Sequence, residues 1–169
     1  MLDESQALLD GVLNTAKLMA ISAKTAPKAR GVDNILVKVL DRSEELESLA
    51  KKMEELAQEF GEFFARDAQN VRRSSAVVLI GCKMLSMGLK KPRSWLLDAD
   101  TVCNLVNLGI ALGSSVKVAS NMNVDNRIMF TVGIAAQELG LIECDYAFGI
   151  PLSTTAKNVY FDRVWPPKK

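Results

Sequence analysis

The chain has 169 residues, of which 49% are hydrophobic and 24% charged, with a formal net charge of +1. That size and composition describe one globular domain (residues 1–169) that buries its own core, and a charge this near zero argues against a nucleic-acid partner. There is no histidine, which excludes Ser-His and Cys-His nucleophilic chemistry and imidazole metal sites.

The first helix is predicted over residues 2–23, where Leu8, Leu9, Val12, Leu13, Ala16, Met19 and Ala20 recur at helical spacing. It stops before Pro27, because the residue preceding proline avoids the α region. Asn34–Leu40 is rich in branched apolar residues and reads as a strand. Asp41 or Ser43 is expected to cap a helix over 43–60 with Leu46, Leu49, Met53 and Leu56 inside and a solvated Glu/Lys face outside. Another helix follows over 61–73. Ser75–Gly81 is almost wholly apolar and reads as a buried strand. Residues 83–99 are irregular.

Asp100 or Thr101 is expected to cap a helix over 101–121 that is apolar nearly all round. Its Gly109, Ala111, Gly113, Ser114 and Ser115 suit close packing, so this helix is expected to be the central one. Asp125 is expected to cap one more helix ending at Gly140, and Cys144–Leu152 is a third strand. The Pro-Pro-Lys-Lys tail is expected on the surface. Together these elements predict an α+β fold with a small mixed or antiparallel sheet packed against helices.

Three groups of residues are candidate anion or cofactor contacts. Lys28 and Arg30 lie beyond the first helix, in a loop that also holds Lys24 and Gly31. Their cations suit a phosphate, or they offset the helix dipole at its C-terminus. Asn126 and Arg127 follow Asp125 at an expected helix start, where backbone amides favour an anion. Lys157 and Asn158 lie in the polar loop after the last strand. Cys82, Cys103 and Cys144 are too few and too widely spaced for a disulfide framework or a four-ligand zinc site. No metal ligands are assigned, and Cys103 is expected to face the interior as a small hydrophobe. Free thiols, no evident signal peptide and no uninterrupted apolar run of membrane-spanning length lead to the expectation of a cytoplasmic protein with no membrane partner.

Four stretches carry a resemblance: Thr25–Asn34 (TAPKARGVDN), Arg66–Gly81 (RDAQNVRRSSAVVLIG), Cys103–Gly140 and Gly149–Arg163 (GIPLSTTAKNVYFDR). In these the chain resembles an uncharacterised prokaryotic family of ferredoxin-domain-containing proteins. That family's pattern carries a CGxCGxxxC run and a later cysteine. Here the corresponding segment, Met84–Trp95, has no cysteine, and only Cys103 falls where a ligand would. The resemblance therefore implies no Fe–S cluster in this chain, since such a cluster takes four ligands. A second similarity is to the flavin-dependent nitroreductase-like fold, through the loop Lys24–Gly31 and the Ala135–Leu141 pattern. It implies a dimer, an FMN cofactor whose phosphate meets the first loop, and a role for Lys28 and Arg30. The resulting expectation is a homodimeric FMN- or nucleotide-binding redox protein. The competing one is a non-catalytic dimeric scaffold or partner subunit.

Overall fold

In a computed structural model, residues 1–161 are described. Five helices and four strands follow in the order α1 (Glu4–Thr25), β1 (Ile35–Leu40), α2 (Ser43–Phe60), α3 (Phe63–Arg72), β2 (Ala76–Cys82), α4 (Ala99–Asn121), β3 (Asp125–Asn126), α5 (Phe130–Glu138) and β4 (Tyr146–Ser153). The expected tail Pro166–Lys169 lies outside the described residues.

The sheet has the order β1-β2-β4-β3 and is antiparallel throughout, so the mixed alternative is discarded. β2 lies inside it and is buried along its whole length. The two-residue period of a strand sends its side chains to two layers. Ala76, Val78, Ile80 and Cys82 join Ile150 and Leu152 under α1 and α4. Val77 and Leu79 meet the layer built by α2, α3 and α5. A continuous apolar run is therefore required, because neither face of β2 meets water.

α1 starts where the Asp3 carboxylate accepts from the Gln6 amide, and it buries Val12, Ala16, Met19 and Ala23 at intervals of a helical turn. α2 is capped by neither Asp41 nor Ser43. Its N-cap is Arg42, whose amide and guanidinium both donate to Glu45. Nor is the acidic face of α2 simply solvated. Arg72 on α3 donates to Glu47 at 2.9 Å and to Glu54 at 2.8 Å, clamping the two helices together. Those hydrogen bonds hold both carboxyls below their usual range.

α4 starts earlier than expected, because the cap is Asp98, accepting from the Thr101 amide and hydroxyl. It is long and apolar enough to cross a membrane by length and composition alone. Here Asn104, Leu108, Ala111, Leu112 and Ser115 turn inward, and Ser115 donates to the Met19 carbonyl of α1. The helix is not central. Leu105, Val106 (51% exposed) and Ile110 face outward. Among the described residues nothing lies within 4 Å of where a Cβ would stand on Gly109 or Gly113, so none of their backbone packs there.

The segment expected to open the last helix does not. Asp125 and Asn126 form the short strand β3 against Leu152 and Ser153. α5 begins only at Phe130, and Gly140 (φ +66°) follows its end. Asn126 and Arg127 are thus not at a helix N-terminus, which removes the anion-site argument made for them. The outcome turns on pairing with β4, a contact some 27 residues away that local residue preference does not report.

Candidate functional site

The loop between α1 and β1 is a densely hydrogen-bonded polar site. Ala26 ends α1 before Pro27, and a tight turn follows over Ala29–Gly31. Arg30 (φ +54°) and Gly31 (φ +68°) are both left-handed. That conformation is uncommon for a non-glycine residue and costs on the order of 1–3 kcal/mol unless its surroundings impose it. Here they do. The Ala29 amide donates to Asn107 Oδ1 at 2.8 Å, and the Arg30 guanidinium donates to the Met87 carbonyl.

Beneath the turn lies a buried amide hub that the sequence reading missed. Asn34, Asn104 and Asn107 are 2%, 1% and 2% exposed. Asn34 Nδ2 donates to Asn104 Oδ1 at 2.8 Å, and Asn107 Nδ2 donates to Asn34 Oδ1 at 3.2 Å. Asn104 Nδ2 reaches the Leu85 carbonyl at 2.8 Å. Buried amides stabilise only when paired in this way. The available signal was two asparagines three residues apart on an apolar helix.

The charges of the loop divide cleanly. Lys24 Nζ is 2.6 Å from Asp33 Oδ2, and its hydrogen bond holds the Asp33 carboxyl below the usual range. Lys28 Nζ donates to the Lys24 and Ala26 carbonyls at 2.6 and 2.8 Å, closing the end of α1. Lys28 and Arg30 thus bind only backbone carbonyls, and neither has a carboxylate partner among the described residues.

The other candidates gather at the far end of α4. Asn126 and Asn158 line a cleft of about 420 Å³ with Ser120, Asn123, Asp125 and Phe161. Asn126 Nδ2 donates to the Val124 carbonyl, and Asn158 Oδ1 accepts from the Tyr160 amide. Arg127 donates to the Tyr160 carbonyl at 3.4 Å and stands 5.1 Å from the Phe161 ring centroid. Lys157 is exposed, and its carbonyl accepts from Thr155. From Asn107 to the end of α4 is about 21 Å at ~1.5 Å per residue. Lys28 and Arg30 therefore do not meet Asn126, Arg127, Lys157 or Asn158 within one chain.

Along the N-terminal half of α4 lies an apolar cleft of about 610 Å³, lined by Leu97, Val102, Leu105, Val106, Gly109 and Ile110.

The thiols are free: Cys82 is on β2, Cys103 on α4, and Cys144 in the segment before β4. Cys103 is only half-buried, a correction to the interior position expected of it. Cys82 is wholly buried on β2, and burial pushes its thiol up to about 11. Two results are expected. Thiol reagents at neutral pH label Cys103 and spare Cys82 until the chain unfolds. In urea titrations, the contribution of Cys82 to stability is complete below pH 9. It is lost as the pH rises toward 11, because the unfolded thiol ionises first. Rapid native labelling of Cys82 would contradict its placement.

Comparison with known proteins places this geometry. Residues 98–163 match the profile of a family described as uncharacterised proteins containing a ferredoxin domain. An uncharacterised protein of Archaeoglobus fulgidus is 39% identical over 187 aligned positions that cover both chains completely. Among solved structures, nitroreductase A from Vibrio parahaemolyticus superimposes with a TM-score of 0.59 at 12% identity, over 86% of this chain and 60% of its own. The NADPH:FMN oxidoreductase of Vibrio harveyi, complexed with NAD+, gives 0.57 at 16% identity, again over 86% and 60%. The chain thus spans about three fifths of the length of these structures and shares their fold.

Proposed function

Because the chain belongs to the family of uncharacterised proteins containing a ferredoxin domain and has the nitroreductase fold, we propose that it is a homodimeric, cytoplasmic redox protein that binds FMN or a related nucleotide. The observation that carries this reading is the pair Lys28 and Arg30. They are two cations with no salt-bridge partner among the described residues, in a strained turn pinned to α4. A phosphate gains charge-assisted hydrogen bonds there without displacing a carboxylate. A bound flavin would supply the electron chemistry.

The exposed apolar face of α4 suits a dimer. The exposed residues Leu105, Val106, Gly109, Ile110 and Gly113 straddle the midpoint of α4. An isologous interface through that midpoint pairs two α4 helices antiparallel. Light scattering across a dilution series is expected to give a dimer mass for the wild type and a monomer for Ile110→Asp, which buries a carboxylate in the interface. A monomeric wild type at micromolar concentration would count against the interface.

An absorption spectrum of the purified protein, before and after incubation with FMN, tests the cofactor. Flavin bands that stay with the protein through gel filtration support the proposal. Their absence after reconstitution favours the scaffold reading.

A further inference from the structure

The ferredoxin domain of the family description implies an iron–sulfur cluster, which is generally held by four thiolates. The donor set of this chain does not fit that group. Three cysteines are its whole complement. Cys82 belongs to the layer under α1 and α4, and Cys144 to the opposite layer, its sulfur packed against Gly81. Cys103 lies on α4. Among the described residues, no three His, Cys, Asp or Glu side chains converge on a point where a metal could sit.

The long loop that joins β2 to α4 lies just outside the part of the chain that matches the family profile. The profile match begins at Asp98, just past this loop. The 187 aligned positions exceed the 169 residues here, so the Archaeoglobus relative carries residues that this chain lacks. Yet the loop is well tied. Asn34 bonds both backbone groups of Lys83, at 2.9 and 3.1 Å. The Met84 amide donates to Asp145, and the Leu85 carbonyl accepts from Asn104. Asp100 accepts from the Ser86 hydroxyl and the Leu89 amide, and Arg30 reaches the Met87 carbonyl.

We infer that this chain is a metal-free member of its family, in which the Asn34–Asn104–Asn107 hub, with Asp100 and Asp145, holds the β2–α4 loop by hydrogen bonds alone. The hub is complete in protein atoms: each of its amides is paired, and a buried polar network stabilises only when satisfied. The same hub fixes Ala29, so it orders the Lys28–Arg30 turn and the β2–α4 loop as one unit. The inference is independent of the flavin proposal. A colourless protein without flavin would leave it intact.

The test uses the full chain purified under anaerobic conditions. Iron and acid-labile sulfide are expected far below one per chain, and the melting temperature is expected to stay unchanged on adding an iron chelator. In Asn104→Ala, hydrogen exchange of the Leu85–Leu89 amides is expected to rise roughly tenfold or more, while the β2–β4 ladder stays protected. Should that variant fail to fold, Asp100→Ala, which frees the same loop from α4, carries the exchange measurement. Near-stoichiometric iron and sulfide, or a chelator-dependent loss of stability, would overturn the inference. So would unchanged loop exchange in the variant measured.

Discussion

Replacing Gly133 by alanine is expected to destabilise the protein by about 3 kcal/mol or more, the upper end of overpacking effects. α5 crosses β4 so closely at this point that an added Cβ would stand 1.9 Å from the Ala147 carbonyl oxygen and 2.7 Å from Phe148 Cα. Both are backbone atoms of a strand paired on both sides, so no side chain can rotate aside. Alanine is otherwise the better helix residue by ~1 kcal/mol, and steric overlap with backbone outweighs that gain. Thermal unfolding should show the melting temperature falling by roughly 6–12 °C, given about 2–4 °C per kcal/mol for a chain of this size. Gly11→Ala is the control. Nothing lies within 4 Å of its Cβ position on α1, so it is expected to gain ~0.5–1 kcal/mol. If Gly133→Ala melts with the wild type, α5 does not sit on β4 as described.

The second large effect is expected on ligand affinity. Arg30→Ala should weaken FMN binding roughly tenfold or more. A charge-assisted hydrogen bond contributes about 1.5–3 kcal/mol, and ~1.4 kcal/mol is a factor of ten. In the absence of ligand the guanidinium donates to the Met87 carbonyl, so part of its donor capacity is already engaged. Four further N–H groups remain available for a planar, bidentate contact. If Arg30 serves only to tie the turn to the neighbouring loop, flavin affinity will be the same in both proteins while loop stability changes. Titration followed by flavin fluorescence separates these outcomes. Arg30→Lys, which keeps the charge but loses the fork, should fall between the two.

Most of the helices were legible because their apolar residues repeat at the helical period, and β1 and β2 because they are short runs of branched apolar residues. α2 was placed at 43–60, as observed, and α1, α3, β1, β2 and α4 to within two residues. What escaped has no periodic signal. β3 is two polar residues whose conformation comes from pairing with Leu152 and Ser153. Asp125 has the right chemistry for a cap, and tertiary contact overrode it. The cap of α4 was misplaced because Asp98 and Asp100 are equally plausible in sequence, and only the Thr101 bonds decide between them. Lys28 and Arg30 were recognisable as loop cations from Pro27 and Gly31. The amides that hold them in place were not, because Asn34, Asn104 and Asn107 meet only when the first strand and fourth helix pack together.

The strand order also governs how the molecule can assemble. β2 is flanked by β1 on one side and by β4 on the other, and Val78 pairs with Ile150, some 72 positions later. At about 5–20 residues per second, a ribosome needs roughly 4–14 seconds to make that partner after β2 is synthesised. During this interval an apolar strand presents one unsatisfied edge. α4, with its own unpartnered apolar face, emerges in the same interval. The nascent chain is therefore most prone to aggregate in the second half of its synthesis, when a chaperone would have the most to shield.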